Sequence, residues 1–182
     1  MDPNQPIPPA GAQVNLTVRP VRDEDEPFLD AIRAEFDSER LLFDHTQLEE
    51  EEKKLLLDIQ NQAYKKHFDN ADWDRKHCII ECNGEPAGTF IIFQDKEEIR
   101  LADIVIARNY RGLGMGFAVI QSIQAESAQS ERPLRLHVTK DNPALSFYEQ
   151  LGFRLLEDRV THLFLEWTPP SMQGKTIYFP PK

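Results

Sequence analysis

The sequence predicts a mixed α/β (α+β) protein built on a mainly antiparallel sheet. Three observations carry that expectation. The hydrophobic period changes from helical to alternating near Lys76, an Asn83-Gly84 pair joins two alternating stretches, and a later strand runs through a glycine-rich turn into an amphipathic helix.

In chain order, residues 1–13 hold four prolines without periodicity and are expected to be a flexible lead-in. Residues 15–20 (NLTVRP) alternate as a first strand, with Leu16 and Val18 on one face. Asp23 suits a helix N-cap, and Phe28, Leu29, Ile32 and Phe36 follow at helical spacing. A second helical pattern spans about 47–67, acidic at its start and basic at its end, as the helix dipole favours. Residues 77–82 and 87–93 read as a hairpin around Asn83-Gly84, and 99–107 as a further strand. After the glycine turn a helix is predicted from Phe117 to about Gln129, a strand at 134–139, and a short helix at 142–151 stopped by Gly152. Residues 154–156 and 160–167 close with a hairpin, and 168–182 form a proline-rich tail. The order is β-α-α-β-β-β-α-β-α-β-β, one domain over 14–167 between two proline-rich ends.

Composition narrows the class. The 182 residues are 40% hydrophobic and 29% charged, as in ordinary globular proteins. No apolar run approaches the ~18 residues of a membrane helix, and the N-terminus lacks the basic and apolar regions of a secretory leader. A cytoplasmic protein without membrane partners is expected. The net charge of −10 argues against nucleic-acid binding, because a phosphate backbone would be repelled. That charge is uneven: residues 1–98 carry 11 Lys/Arg against 23 Asp/Glu, and residues 99–182 carry 10 against 8. Cys78 and Cys82 fall on one predicted strand, about 13 Å apart at roughly 3.3 Å per residue, beyond disulfide reach. Two cysteines without a CxxC spacing, and five scattered histidines, predict no metal site.

The glycine turn is the most informative segment. Arg111-Gly112-Leu113-Gly114-Met115-Gly116 places three of the eight glycines within five residues, between a strand and a helix. Glycines there allow close backbone approach, and the free N–H groups of a first helical turn attract an anion such as a phosphate, with Arg111 adding charge. A phosphate-binding P-loop would need Lys-Ser/Thr after the last glycine, where Phe117-Ala118 stands, and the dinucleotide fingerprint needs different glycine spacing earlier in the chain.

The pattern R-x-x-G-x-G, formed by Arg111, Gly114 and Gly116, resembles that of the GNAT superfamily of acyl-coenzyme-A-dependent N-acyltransferases. A second segment, Val138-x-x-x-Asn142-x-x-Ala144-x-x-x-Tyr148-x-x-x-Gly152-Phe153, is similar to the strand–helix signature of the same family, and the resemblance covers about residues 15–167. It implies a GNAT fold: a mixed, mostly antiparallel sheet of about seven strands, about four flanking helices, and two strands splayed at the cofactor site, here 99–107 and 134–139. Acetyl-CoA is the implied co-substrate. Its pantetheine arm would pair with the backbone of Ile104, Val105 and Ile106, and its pyrophosphate would rest on Gly112, Leu113, Gly114, Met115 and Gly116. Tyr148 aligns with the general acid that protonates the leaving thiolate, and its motif position favours that role over plain packing beside Phe147 and Phe153. Asn142 aligns with a cofactor-contacting residue and also suits a helix cap ahead of Pro143.

The base is less defined. Asp103 is the only carboxylate within the 99–107 strand, and alternation places it with Leu101 and Val105, opposite Arg100, Ala102, Ile104 and Ile106. A proton acceptor and a structural carboxylate are both consistent with it. Glu98, Glu81 through a water, or solvent alone are alternatives. The resemblance implies acetyl transfer to a primary amine by direct attack, with the acceptor held by about residues 23–67, and a homodimer is among the assemblies it implies. Because that half is acidic, a cationic acceptor is expected: a polyamine, a lysine side chain or N-terminus, or an amino-sugar. A non-catalytic acyl-CoA-binding module of the same fold is the second reading.

Overall fold

The structure is a computed structural model that describes residues 15–43, 73–140, 142–160 and 162–172. Seven strands form one sheet: β1 (Leu16–Pro20), β2 (Asp74–Cys82), β3 (Glu85–Gln94), β4 (Ile99–Ile106), β5 (Leu134–Thr139), β6 (Arg154–Asp158) and β7 (His162–Trp167), in the order β1-β2-β3-β4-β5-β7-β6. Three α-helices are described: α1 (Glu26–Phe43), α2 (Met115–Gln129) and α3 (Leu145–Gln150). The expected helix at 47–67 lies outside the described residues. The first hairpin turns at Asn83 and Gly84, with φ of 55° and 88°, the left-handed pair that a two-residue turn requires.

All strand pairs are antiparallel except β4 with β5. That parallel pair holds only at Ile99↔Leu134, Arg100↔Arg135 and Leu101↔Leu136, after which the strands part. The two arginines that meet at this junction are neutralised from one side: Glu98, nearly sealed from water, ion-pairs with both Arg100 and Arg135, and Arg135 Nε also reaches Glu166 at 2.8 Å.

One sheet face is covered by α2 and α3. Val119, Ile120 and Ile123 recur at helical spacing and pack on Ile80, Phe90, Ile92, Ile99, Leu101, Leu134 and Leu136. The buried Gln124 Nε2 donates to Leu151 O at 2.8 Å, tying α2 to the end of α3. On the opposite face Ile32 of α1 packs with Val105, Ala107, Phe28 and Tyr110. A 3-10 turn, Asp23–Asp25, precedes α1. Asp25 rather than Asp23 anchors it: its carboxylate accepts Arg22 N–H at 2.7 Å and is gripped by Arg19 Nη1 and Nη2 at 2.6 and 2.7 Å.

Several expected boundaries move. β2 begins at Asp74 rather than 77, and α3 covers only Leu145–Gln150 because Asn142 and Pro143 belong to the turn before it. Both cysteines lie on β2 as free thiols, Cys82 buried and Cys78 half-buried. The start of the proline-rich tail is docked, since Pro169 is fully buried.

Candidate functional site at the strand fork

The fork between β4 and β5 positions every group that follows. Beyond Leu101, β4 keeps its pairing with β3 on one side only. Ala107 N–H donates to Ala87 O at 2.9 Å, so antiparallel alternation directs the peptide groups of Val105 toward β3 and those of Ile104 and Ile106 into the fork. Two of the three backbone positions expected to meet a cofactor therefore face the opening, and Val105 does not.

The glycine turn closes the wide end of the fork. Gly112 and Gly114 both have φ of +77°, a left-handed conformation that glycine adopts without strain. Gly114 is the N-cap of α2, and the first main-chain bond there is Ala118 N–H to Gly114 O at 3.0 Å. The N–H groups of Gly112, Leu113, Gly114, Met115, Gly116 and Phe117 donate to no main-chain carbonyl among the described residues. A run of unpaired amides at a helix start is an anion-binding arrangement. A Cβ on Gly112 or Gly114 would meet nothing within 4 Å, so the space over the turn is open. Arg111 is engaged elsewhere: its Nε donates to Ile106 O at 2.8 Å, and its Nη2 lies 3.6 Å from Glu35 Oε1 of α1. The same Glu35 oxygen accepts Arg108 N–H at 2.7 Å, so α1 is fastened to the turn.

Tyr148 approaches from the α3 side. Its ring is buried against Phe147 and Phe153, with centroids 5.5 and 5.7 Å away. Its hydroxyl has no hydrogen-bond partner among the described residues and is not one of the sealed polar atoms. Burial, with a smaller contribution from the Asp103 charge, pushes the phenol up to about 12. Asn142 Oδ1 accepts Ala144 N–H at 2.8 Å within the turn before α3, but the N-cap of α3 is Ala144, which has no side-chain cap, so Asn142 braces the turn and is not the expected helix cap.

Asp103 approaches from the α1 side, and its placement corrects the simple alternation. Ile91 pairs with Asp103 and Ile92 with Leu101, leaving Ala102 as a β-bulge. The extra residue reverses the phase. Leu101 joins Ile104 and Ile106 on the α2 core, whereas Asp103 lines a cavity with Val105 under α1. The carboxylate is reached by solvent yet ringed by protein, and this crowding raises its pKa, opposed by the Ile104 N–H and by Arg33. The other carboxylates considered as bases are committed elsewhere: Glu98 to Arg100 and Arg135, and Glu81 to Arg19 at 2.6 Å and Thr17 at 2.9 Å.

His77 and Thr89, which line the same cavity as Asp103, were not singled out by the sequence. Register alone brings them there, and a bulge between Ile80 and Glu81 shifts that register away from simple counting across the hairpin.

The seven-stranded sheet thus forks at its parallel pair, with unpaired amides at one end of the opening and a buried phenol among the groups around it. The model of the acetyltransferase (GNAT) domain family matches residues 43–173, and the chain belongs to that family. Solved structures agree on the fold. An acetyltransferase from Thermus thermophilus is 21% identical, with a TM-score of 0.61 over 85% of this chain and 97% of that one. The PaiA N-acetyltransferase from Thermoplasma acidophilum, in complex with coenzyme A, is 16% identical, with a TM-score of 0.62 over 85% and 99%. The ribosomal-protein-S18-alanine N-acetyltransferase from Escherichia coli is 20% identical, with a TM-score of 0.55 over 91% and 100%. No curated protein matches the sequence. As a GNAT member the chain is an acyltransferase with acetyl-CoA as co-substrate. No helix among the described residues is long and apolar enough to cross a membrane.

Proposed function

We propose that the protein transfers the acetyl group of acetyl-CoA to a primary amine by direct attack, with Asp103 as proton acceptor and Tyr148 as proton donor. The observation that supports this reading is the pair of groups on either side of β4 where it parts from β5: Asp103 lines the cavity under α1, Tyr148 lies on the α3 side, and the Asp103 charge contributes to raising the phenol. The pantetheine arm lies along the peptide groups of Ile104 and Ile106, and the diphosphate rests on the amides of residues 112–117. Arg111 adds its charge beside the diphosphate, and the Asn142 amide NH2, whose oxygen is occupied, contacts the cofactor.

The amine arrives as an ammonium and gives a proton to Asp103, whose raised pKa makes it a better base than an exposed carboxylate. Nitrogen attacks the thioester carbonyl, a fork-facing N–H of β4 donates to the oxyanion, and the C–S bond breaks as the amide forms. Tyr148 then protonates the sulfur. A phenol held near 12 is fully protonated at neutral pH, and burial raises the proton affinity of the leaving thiolate in the same slot. The nitrogen sheds a second proton as the amide forms, which returns to the Tyr148 phenolate, and Asp103 releases its proton to solvent, so each turnover yields the amide, the free thiol and one proton. A carboxylate in the acceptor cavity supports a cationic acceptor.

Thiol release from acetyl-CoA over a panel of amines, with Tyr148→Phe as control, tests the proposal. Acetyl-CoA binding without turnover on any amine would favour a non-catalytic acyl-CoA-binding module.

A further inference from the structure

The cavity on the α1 face holds a second polar group that this reaction leaves unused. His77 on β2 and Asp103 on β4 are both paired in register with Ile91. They stand two interstrand steps apart, roughly 10 Å at Cα. Both line a cavity of about 80 Å³ whose remaining walls include Leu29, Ile32, Phe36 and Val105.

The protonation of His77 is fixed by its neighbour. Thr89 Oγ1–H donates to Cys78 O at 2.9 Å, and the same oxygen lies 3.0 Å from His77 Nε2. A hydroxyl has one proton, and here it is committed to the carbonyl. Nε2 must therefore carry the imidazole proton, which leaves Nδ1 as an acceptor. The charged groups facing the ring are Arg33 on α1, Arg75 on its own strand, Asp25 before α1 and Asp103 across β3. Burial holds the imidazolium below its usual range, both arginines add to this and Asp25 opposes it, so the ring is neutral.

We propose that His77 is a specificity-determining residue: the cavity takes a compact aliphatic amine bearing a second, neutral hydrogen-bond donor, a hydroxyl or amide N–H, which His77 Nδ1 receives while the reacting amine sits at Asp103. The proposal rests on the acetyl transfer described above. At 10–15 Å³ for each water-sized occupant, the cavity admits roughly six heavy atoms. Arg33 and Arg75 make the His77 end unfavourable for a second ammonium. A plain alkylamine would leave Nδ1 desolvated without a donor, which amounts to roughly tenfold in discrimination.

The test compares propylamine, 3-aminopropanol and 1,3-diaminopropane as acceptors for the full chain with acetyl-CoA, following thiol release. The amino alcohol is expected to exceed propylamine about tenfold in kcat/KM, with the diamine no better than propylamine. His77→Leu should erase the preference through KM rather than kcat, and Thr89→Val, which frees the ring tautomer, should narrow it. His77→Gln keeps an acceptor and should retain much of the preference. Melting curves and calorimetric affinity for coenzyme A establish that each variant is folded. Equal use of the three amines by the wild type, a preference for the diamine, or a preference that survives His77→Leu would overturn the inference while leaving acetyl transfer intact. If no amine is acetylated although coenzyme A binds, the transfer reading falls and this inference falls with it.

Discussion

Replacing Gly114 by Glu separates the anion-binding role of the glycine turn from its structural role. Gly114 sits at φ +77°, and a Cβ there would meet nothing within 4 Å. The folding penalty is therefore mainly that of a left-handed L-residue, about 1–2 kcal/mol. For a chain of this size that lowers Tm by roughly 2–8 °C. Binding should suffer far more. The carboxylate would enter the space over six unpaired amides, and two like charges about 4 Å apart repel by about 4 kcal/mol at an effective dielectric near 20. Even three-quarters of that corresponds to more than a hundredfold loss of affinity for coenzyme A. Calorimetric titration with coenzyme A, beside a melting curve, reads both quantities. Gly114→Ala carries the same backbone penalty without the charge and should stay within about tenfold of the wild type. Affinity for Gly114→Glu within threefold of the wild type would refute the diphosphate assignment. An equal loss in both variants would show that the shape of the turn, not its field, is what matters.

Tyr148→Phe keeps the aromatic packing and removes the proton donor, so kcat should fall roughly 10²–10⁴-fold, with coenzyme A affinity changed little; calorimetry and single-turnover thiol release check both. Asp103 has a raised pKa, so kcat/KM should decline as pH falls through that value, and Asp103→Asn should remove this acid limb together with most of the rate; a pH–rate profile with a permissive amine reads it. Asp25 is held down to about 2 from 3.8, first by its hydrogen bond to Arg19. A depressed folded pKa means the stabilisation is complete above about pH 4 and is lost as pH falls toward 2. After allowing for screening near the sheet edge, about 1–2 kcal/mol is at stake; denaturant melts at pH 6 and pH 2.5, wild type against Asp25→Asn, measure it. Ile120→Ala, at a fully buried core position against the forked strands, should cost about 2–5 kcal/mol in a urea melt.

Local chemistry made much of this molecule readable before any coordinates. Asn83-Gly84 announced its own turn, and the alternation of Leu134, Leu136 and Val138 marked a strand with one buried face. The glycines at 112–116 announced a turn between strand and helix, and the structure adds that those at 112 and 114 are left-handed. What failed was information held between strands. Period-two counting cannot detect that Ala102 is looped out of the β3–β4 ladder, so it placed Leu101 beside Asp103 when the bulge separates them. Composition likewise could not show that Arg111 is bound to Ile106 O and Glu35, or that Asn142 spends its oxygen on Ala144. His77 reaches the cavity only because a second bulge, near Ile80, resets the pairing of β2 with β3.

The Arg111 guanidinium plugs the socket at Ile106 O that an inserted chain would use. A strand edge left bare by a fork invites adhesion to any other extended peptide, and here the protein stoppers part of its own edge with a side chain. An amide brought to that carbonyl would either share its second lone pair or displace Arg111, and because Arg111 also lies beside Glu35, displacement would loosen one of the ties between α1 and the glycine turn.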